Sequence, residues 1–152
     1  MSTVMHIFVA AKKRAPMQSL TSVDAVANEG LRGDRYIESK HRPSADYQVT
    51  LIELENIEAF TRATGLALLP EMPRRNIVTC GVHLNDLCGR RFVVGKAVFE
   101  GLELCEPCGL FAQSTYREVL KFFVRKGGLR ARIISSGQIR IGDPVVPMLS
   151  PE

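Results

Sequence analysis

Short apolar alternations broken by glycine constrain this chain more than any other feature. Leu129, Ala131 and Ile133 alternate with Arg130 and Arg132, and similar segments cover Phe92–Val94 and Ala97–Cys105, joined at Gly95-Lys96. A period of two puts alternate side chains on one face of a strand, and glycine-centred pairs close the hairpins between them. Gln138–Ile141 and Pro144–Val146 flank Gly142-Asp143 in the same way, and Asn76–Thr79 reads as a further short strand. Tyr47-Gln48-Val49-Thr50-Leu51 reads as a half-buried strand with Tyr47, Val49 and Leu51 on one face. In Ala97–Cys105 the alternation slips between Glu100 and Glu103, and a bulge at Gly101 would reset it.

Two helices are expected. Leu54–Thr64 is one, stopped by Gly65. Tyr116–Lys126 is the other, with Thr115 and Glu118 as a capping box and an apolar face of Tyr116, Val119, Leu120 and Phe123. Gly127-Gly128 ends it. Arg32 to Asp46 is rich in Gly, Pro and charge and reads as a surface loop. Many short strands with few helices predict a mostly β barrel, a single domain spanning 1–152.

The 152 residues carry 20 basic and 16 acidic side chains. A net charge of +4 suits a small pocket for an anionic ligand as well as it suits a solvated face. The aromatics do not interleave with basic residues as in a single-strand binder, so nucleic acid is not the expected partner. No apolar run approaches the roughly 18 residues of a membrane span. Met1 to Ala10 lacks a charged n-region and reads as a first strand, so the expected location is the cytoplasm, away from the membrane.

Four cysteines stand at Cys80, Cys88, Cys105 and Cys108. A disulfide framework is not expected in such a chain. Cys80 and Cys88 read as small buried hydrophobes. Cys105-Glu106-Pro107-Cys108, read as a turn, leaves three possibilities open. It could be a redox pair, half of a zinc site, or a single reactive thiolate that binds a soft metal or sulfur. Arginines cluster at Arg32 and Arg35 around Gly33-Asp34, at Arg74-Arg75-Asn76, and at Arg90-Arg91. An arginine fork matches a phosphate, and a glycine turn lets backbone amides approach it. No Walker A, GxGxxG, HExxH or GxSxG pattern occurs, and His6, His41 and His83 are scattered.

Gly30-Leu31-Arg32-Gly33-Asp34-Arg35-Tyr36, Gln48-Val49-Thr50-Leu51-Ile52, Pro73-Arg74-Arg75-Asn76-Ile77-Val78-Thr79, Gly81, the Leu87 to Gly95 turn and Leu104-Cys105-Glu106-Pro107-Cys108 follow one another in order. Together they resemble a MOSC domain, the family named for the C-terminal domain of molybdenum cofactor sulfurases, and its small stand-alone bacterial members in particular. The resemblance implies a β-barrel like the small domain of pyruvate kinase, with a few short helices. It also implies a pocket for a pyranopterin molybdenum cofactor, held loosely enough to be lost on purification. Arg74, Arg75 and Asn76 match the family's Arg-Asn motif, and Gly33, Asp34 and Arg35 its Gly-Asp motif, as cofactor contacts. Cys108 matches the molybdenum ligand, with Cys105 as the alternative reactive cysteine. The activity implied is reduction of N-hydroxylated bases or related small molecules by a molybdenum-dependent oxidoreductase, served by an electron-donor protein. A persulfide carrier fed by a sulfur-donor protein, or a cofactor-binding module without turnover, are the other readings.

Overall fold

The computed structural model describes residues 1–38 and 44–149. Strands dominate. β1 is Thr3–Val9, β2 Gln18–Leu20, β3 Ser22–Val26, β4 Gly30–Leu31, β5 Val49–Glu53, β6 Ile77–Cys80, β7 Arg91–Val94, β8 Ala97–Leu104, β9 Leu129–Ser135, β10 Gly137–Arg140 and β11 Val145–Pro147. Eight of them form one sheet in the order β11-β7-β8-β9-β5-β6-β1-β2, and β10-β3-β4 form a second. Helices are few and short apart from α2, Leu54–Thr64; the others are α1 Arg35–Glu38, α3 Gly109–Ser114 and α4 Val119–Phe122.

The mostly β expectation holds, but among the described residues the sheets are open and no closed barrel forms. The ends of the large sheet come close without forming a ladder. Thr3 and Pro144 make an isolated bridge. Around it, the Val4 amide donates to the Asp143 carbonyl at 2.9 Å and the Gly142 amide to the Val4 carbonyl at 2.7 Å. The Val145 amide also donates to the Ser2 carbonyl at 2.9 Å.

The predicted hairpin of Phe92–Val94 and Ala97–Cys105 is present as β7 and β8. The bulge is present too: register shifts between Gly101 and Glu103 where β8 meets β9. No side chain fits at Gly101, because an added Cβ would run into the Leu87 carbonyl. Leu54–Thr64 is helical as expected, and Gly65 closes it at φ 76° with its amide on the Thr61 carbonyl.

The strand around Val49 departs from the half-buried expectation. Val49, Thr50, Leu51 and Ile52 are all buried, because β5 lies inside the sheet, parallel to β6 through the α2 crossover. Leu51 enters the main core with Ile7, Ile77, Phe92 and Phe99. Ile52 enters a second core with Phe8, Ile57, Phe60, Phe111 and Phe123 beneath the helices. A strand covered on both faces shows no alternation of burial.

The long helix expected over Tyr116–Lys126 does not form; its region holds only the single turn α4. Thr115 makes no capping box. Its hydroxyl donates to the Phe111 carbonyl at 2.6 Å and so finishes α3 instead. Val119 and Phe123 are buried as expected, whereas Leu120 is 42% exposed. Phe122 and Phe123 both pack on Phe60, at 5.4 and 5.7 Å between ring centres.

Candidate functional site

The Gly33-Asp34 segment is not a loose surface loop. Asp34 is fully buried. Its Oδ1 accepts the Ala10 amide at 3.0 Å, while the Arg35 amide donates back to the Ala10 carbonyl at 2.7 Å. This exchange pins α1 against the end of β1. Burial pushes the Asp34 carboxyl up from the ordinary carboxylate range, and the Ala10 amide and Arg35 guanidinium oppose that shift. Part of the expected loop, including His41, lies outside the described residues.

Arg74-Arg75-Asn76 precedes β6 and its three side chains do different things. Asn76 is fully buried and its polar atoms are engaged. Its Oδ1 accepts the Thr50 amide at 3.0 Å and the Thr50 hydroxyl at 3.3 Å, and its Nδ2 donates to the Phe8 carbonyl at 3.1 Å. Arg75 donates from Nε to the Gly127 carbonyl at 2.9 Å and from Nη1 to the Pro73 carbonyl at 3.4 Å. Arg74 sits at φ 61°, a left-handed conformation that costs a non-glycine residue about 1–3 kcal/mol. Its Nη2 is buried with no hydrogen-bond partner. Burial, then the neighbouring Arg35, lower the pKa of Arg74.

Cys105 follows β8 and is buried. Its amide donates to the Gly128 carbonyl at 2.8 Å, and its own carbonyl backs onto Gly127, where a Cβ would collide with it. Burial raises the thiol pKa, while Arg75 and Arg130 pull it down. Arg130, on β9, lies over the Tyr47 ring at 3.8 Å. Burial alone would lower the Arg130 pKa; Cys105, Tyr36 and Tyr47 outweigh it and raise the value. Arg35 lies over Tyr36 at 4.4 Å, and the two tyrosine rings meet edge to face at 5.8 Å.

Cys108 stands exposed at the start of α3. Residues 105–108 run without a turn or bend, contrary to expectation, and residue 108 has extended backbone at φ −128°, ψ 171°. One of the two thiols is thus buried and the other open to solvent. Cys80 and Cys88 are not the buried hydrophobes expected: Cys80 is half-buried and Cys88 exposed. Among the described residues, no three His, Cys, Asp or Glu side chains gather as a metal-ion site.

Arg75 and Arg130 thus lie within electrostatic reach of Cys105, while Arg35 and Arg74 neighbour one another beside Asp34 and Tyr36. Residues 38–146 match the family model of the MOSC domain. The chain belongs to this family. Among solved structures, the YUAD protein from Bacillus subtilis is similar over 99% of this chain and 98% of that one, at 18% identity and a TM-score of 0.80. YiiM from Geobacillus stearothermophilus is similar over 98% of this chain and 76% of that one, at 17% identity and a TM-score of 0.78. YiiM from Escherichia coli is similar over 99% and 71%, at 15% identity and a TM-score of 0.70. No curated protein matches the sequence.

In this MOSC domain the matched span contains Arg74, Arg75, Asn76, Cys105 and Cys108, while Gly33, Asp34 and Arg35 precede it. Sequence reading placed Arg130 in an ordinary strand and missed its part in the site. The one available signal was an arginine directly opposite Glu103, across the bulge that Gly101 announces.

Proposed function

We propose that this MOSC domain binds a pyranopterin molybdenum cofactor and reduces N-hydroxylated bases or related small molecules, with the Cys108 thiolate as the metal ligand. The observation that carries the reading is the set of guanidiniums in this part of the fold: Arg75 and Arg130 near Cys105, and Arg74 near Arg35, with its Nη2 buried and unpartnered among the described residues. A desolvated guanidinium nitrogen without a partner is costly, and an anionic group is the natural complement. These donors therefore fit a cofactor that carries a phosphate. When bound, that cofactor would supply the two-electron redox chemistry.

The chain's own residues bind and orient. Arg35 and Arg74 offer charge to the anionic end, and Gly33-Asp34 fixes Arg35 by its exchange with Ala10. Arg75 and Asn76 hold the backbone on which Arg74 is displayed. Cys108 presents an exposed sulfur, and a single thiolate ligand needs no cluster of further protein ligands. Exposure of that sulfur also favours the second reading, a persulfide carrier, because a donor protein must reach it.

The test is molybdenum and pterin content after anaerobic purification from a host that makes the cofactor, for wild type, Cys108→Ala and Cys105→Ala. Molybdenum near one per chain that is lost with Cys108 supports the reading. A persulfide on Cys108 with neither metal nor pterin moves the protein to sulfur transfer. Cofactor without turnover of N-hydroxylated substrates leaves a binding module.

A further inference from the structure

We infer that Glu106 is a positioning residue for the Cys108 sulfur: it fastens the cysteine segment to the turn after α4 and so keeps Cys108 from closing on Cys105. The inference deepens the proposed function and rests on it for Cys108 as the reactive sulfur.

Cys105 is fixed through its backbone, with its amide on the Gly128 carbonyl at 2.8 Å and its own carbonyl against Gly127. At the next residue a side chain takes over. Glu106 Oε1 accepts the Arg125 amide at 2.9 Å, a charge-assisted hydrogen bond. Pro107 follows, with no amide to donate and φ fixed by its ring. Cys108 ends the segment exposed, with extended backbone, and its carbonyl accepts the Ala112 amide at 3.2 Å as α3 begins.

The receiving end is held as firmly. Arg125 has φ 59°, left-handed for a residue that carries a side chain. Its carbonyl accepts Asn85 Nδ2 at 2.8 Å. Both backbone polar groups of Arg125 are therefore met by side chains, one 19 and the other 40 residues away. A strained conformation of this kind persists only where its surroundings enforce it. Asn85 belongs to the short helical turn Leu84–Leu87. The Leu84 amide in turn donates to Glu53 Oε2 at 3.3 Å, which ties that turn to β5.

A disulfide between Cys105 and Cys108 would have to bend the chain at Glu106 and Pro107, the two residues with the least freedom to comply. It also needs Cα atoms within about 7 Å and Cβ vectors that face one another. Here one thiol is buried and the other exposed. Cys108 is thereby kept as a single free thiol, which a metal ligand and a sulfur carrier both require.

The test oxidises the reduced full chain with oxidised glutathione. The Cys108 thiolate attacks that disulfide and releases one glutathione; Cys105 then displaces the second, loses its proton and forms the internal bond, so two protein thiols are oxidised and two glutathiones released. Mass spectrometry separates the mixed from the internal disulfide. Wild type is expected to accumulate the mixed disulfide on Cys108. Glu106→Ala should form the internal disulfide about tenfold faster, the worth of one charge-assisted hydrogen bond. Glu106→Gln keeps an acceptor oxygen and should stay within about threefold of wild type. Exposed Cys88 serves as the internal control for reactivity. A merely structural role would lower the thermal midpoint and leave the ratio of internal to mixed disulfide unchanged; that result overturns the inference. So does closure in Glu106→Gln as fast as in Glu106→Ala. Should Glu106→Ala not fold, Asn85→Ala loosens the same turn from its other side and should also close faster than wild type; unchanged closure there overturns the inference. Molybdenum and pterin content separates the two proposals. Fast closure in Glu106→Ala, with no cofactor in wild type, keeps the positioning role and removes the cofactor; cofactor in wild type, with one closure rate in all variants, does the reverse.

Discussion

Asn76 and Thr50 are locked by a reciprocal exchange: Thr50 donates its amide and its hydroxyl to Asn76 Oδ1, and the Asn76 amide donates back to the Thr50 carbonyl at 3.1 Å. The pair ties the start of β6 to β5 directly behind Arg74. Asn76→Ala would strand the Thr50 amide and the Phe8 carbonyl in a dry interior. The expected cost is about 2–6 kcal/mol, read by urea unfolding, since each of the two unmet buried groups costs about 1–3 kcal/mol. Unchanged stability with lost ligand binding would instead make Asn76 a direct contact.

Gly127 backs the Cys105 carbonyl so closely that no Cβ fits. Gly127→Ala should therefore push the cysteine segment away from Arg75 and destabilise the fold by about 1–3 kcal/mol, the usual cost of forcing extra volume into a packed site. Thermal unfolding checks the first effect and thiol labelling of Cys105 the second. Faster labelling than wild type is expected.

The four cysteines should separate by reactivity. Cys88 and Cys108 are exposed, Cys80 is half-buried, and Cys105 is buried with a raised thiol pKa. Mass-mapped alkylation with iodoacetamide at neutral pH should modify Cys108 and Cys88 first and Cys105 last. Because Cys105 is buried and Cys108 exposed, mild oxidation should not link the two thiols without a backbone shift. A Cys105–Cys108 disulfide formed as fast as Cys108 is labelled would contradict this geometry.

Asp34 gives a pH dependence with a definite sign. Burial places its pKa in the folded chain above the unfolded value of 3.8. The folded state then binds the proton more tightly, so the stabilisation is complete below the unfolded pKa and is lost as pH rises through the folded one. Asp34→Asn removes this titration while keeping an acceptor for the Ala10 amide. Denaturant midpoints measured across the acid range should show wild type losing stability relative to Asp34→Asn as pH rises. A constant difference would place the Asp34 pKa at its ordinary value.

What local sequence could specify, it did. Period-two alternation located β7, β8 and β9, Gly65 ended α2, and the phase slip between Glu100 and Glu103 located the bulge, because each depends on neighbours a few residues apart. The ordered motifs identified the family. Tertiary structure alone decided the rest. The burial of β5 on both faces came from the second core beneath the helices, and the path after Thr115 keeps a single helical turn. Tertiary structure also decided that β1 meets the approach to β11 as an isolated Thr3–Pro144 bridge. Which arginines keep an open donor is likewise invisible in sequence, since it depends on carbonyls tens of residues away: Gly127 occupies Arg75, and nothing among the described residues meets Nη2 of Arg74. A hydrogen bond is satisfied or left open by distance in space, and only the fold sets that distance.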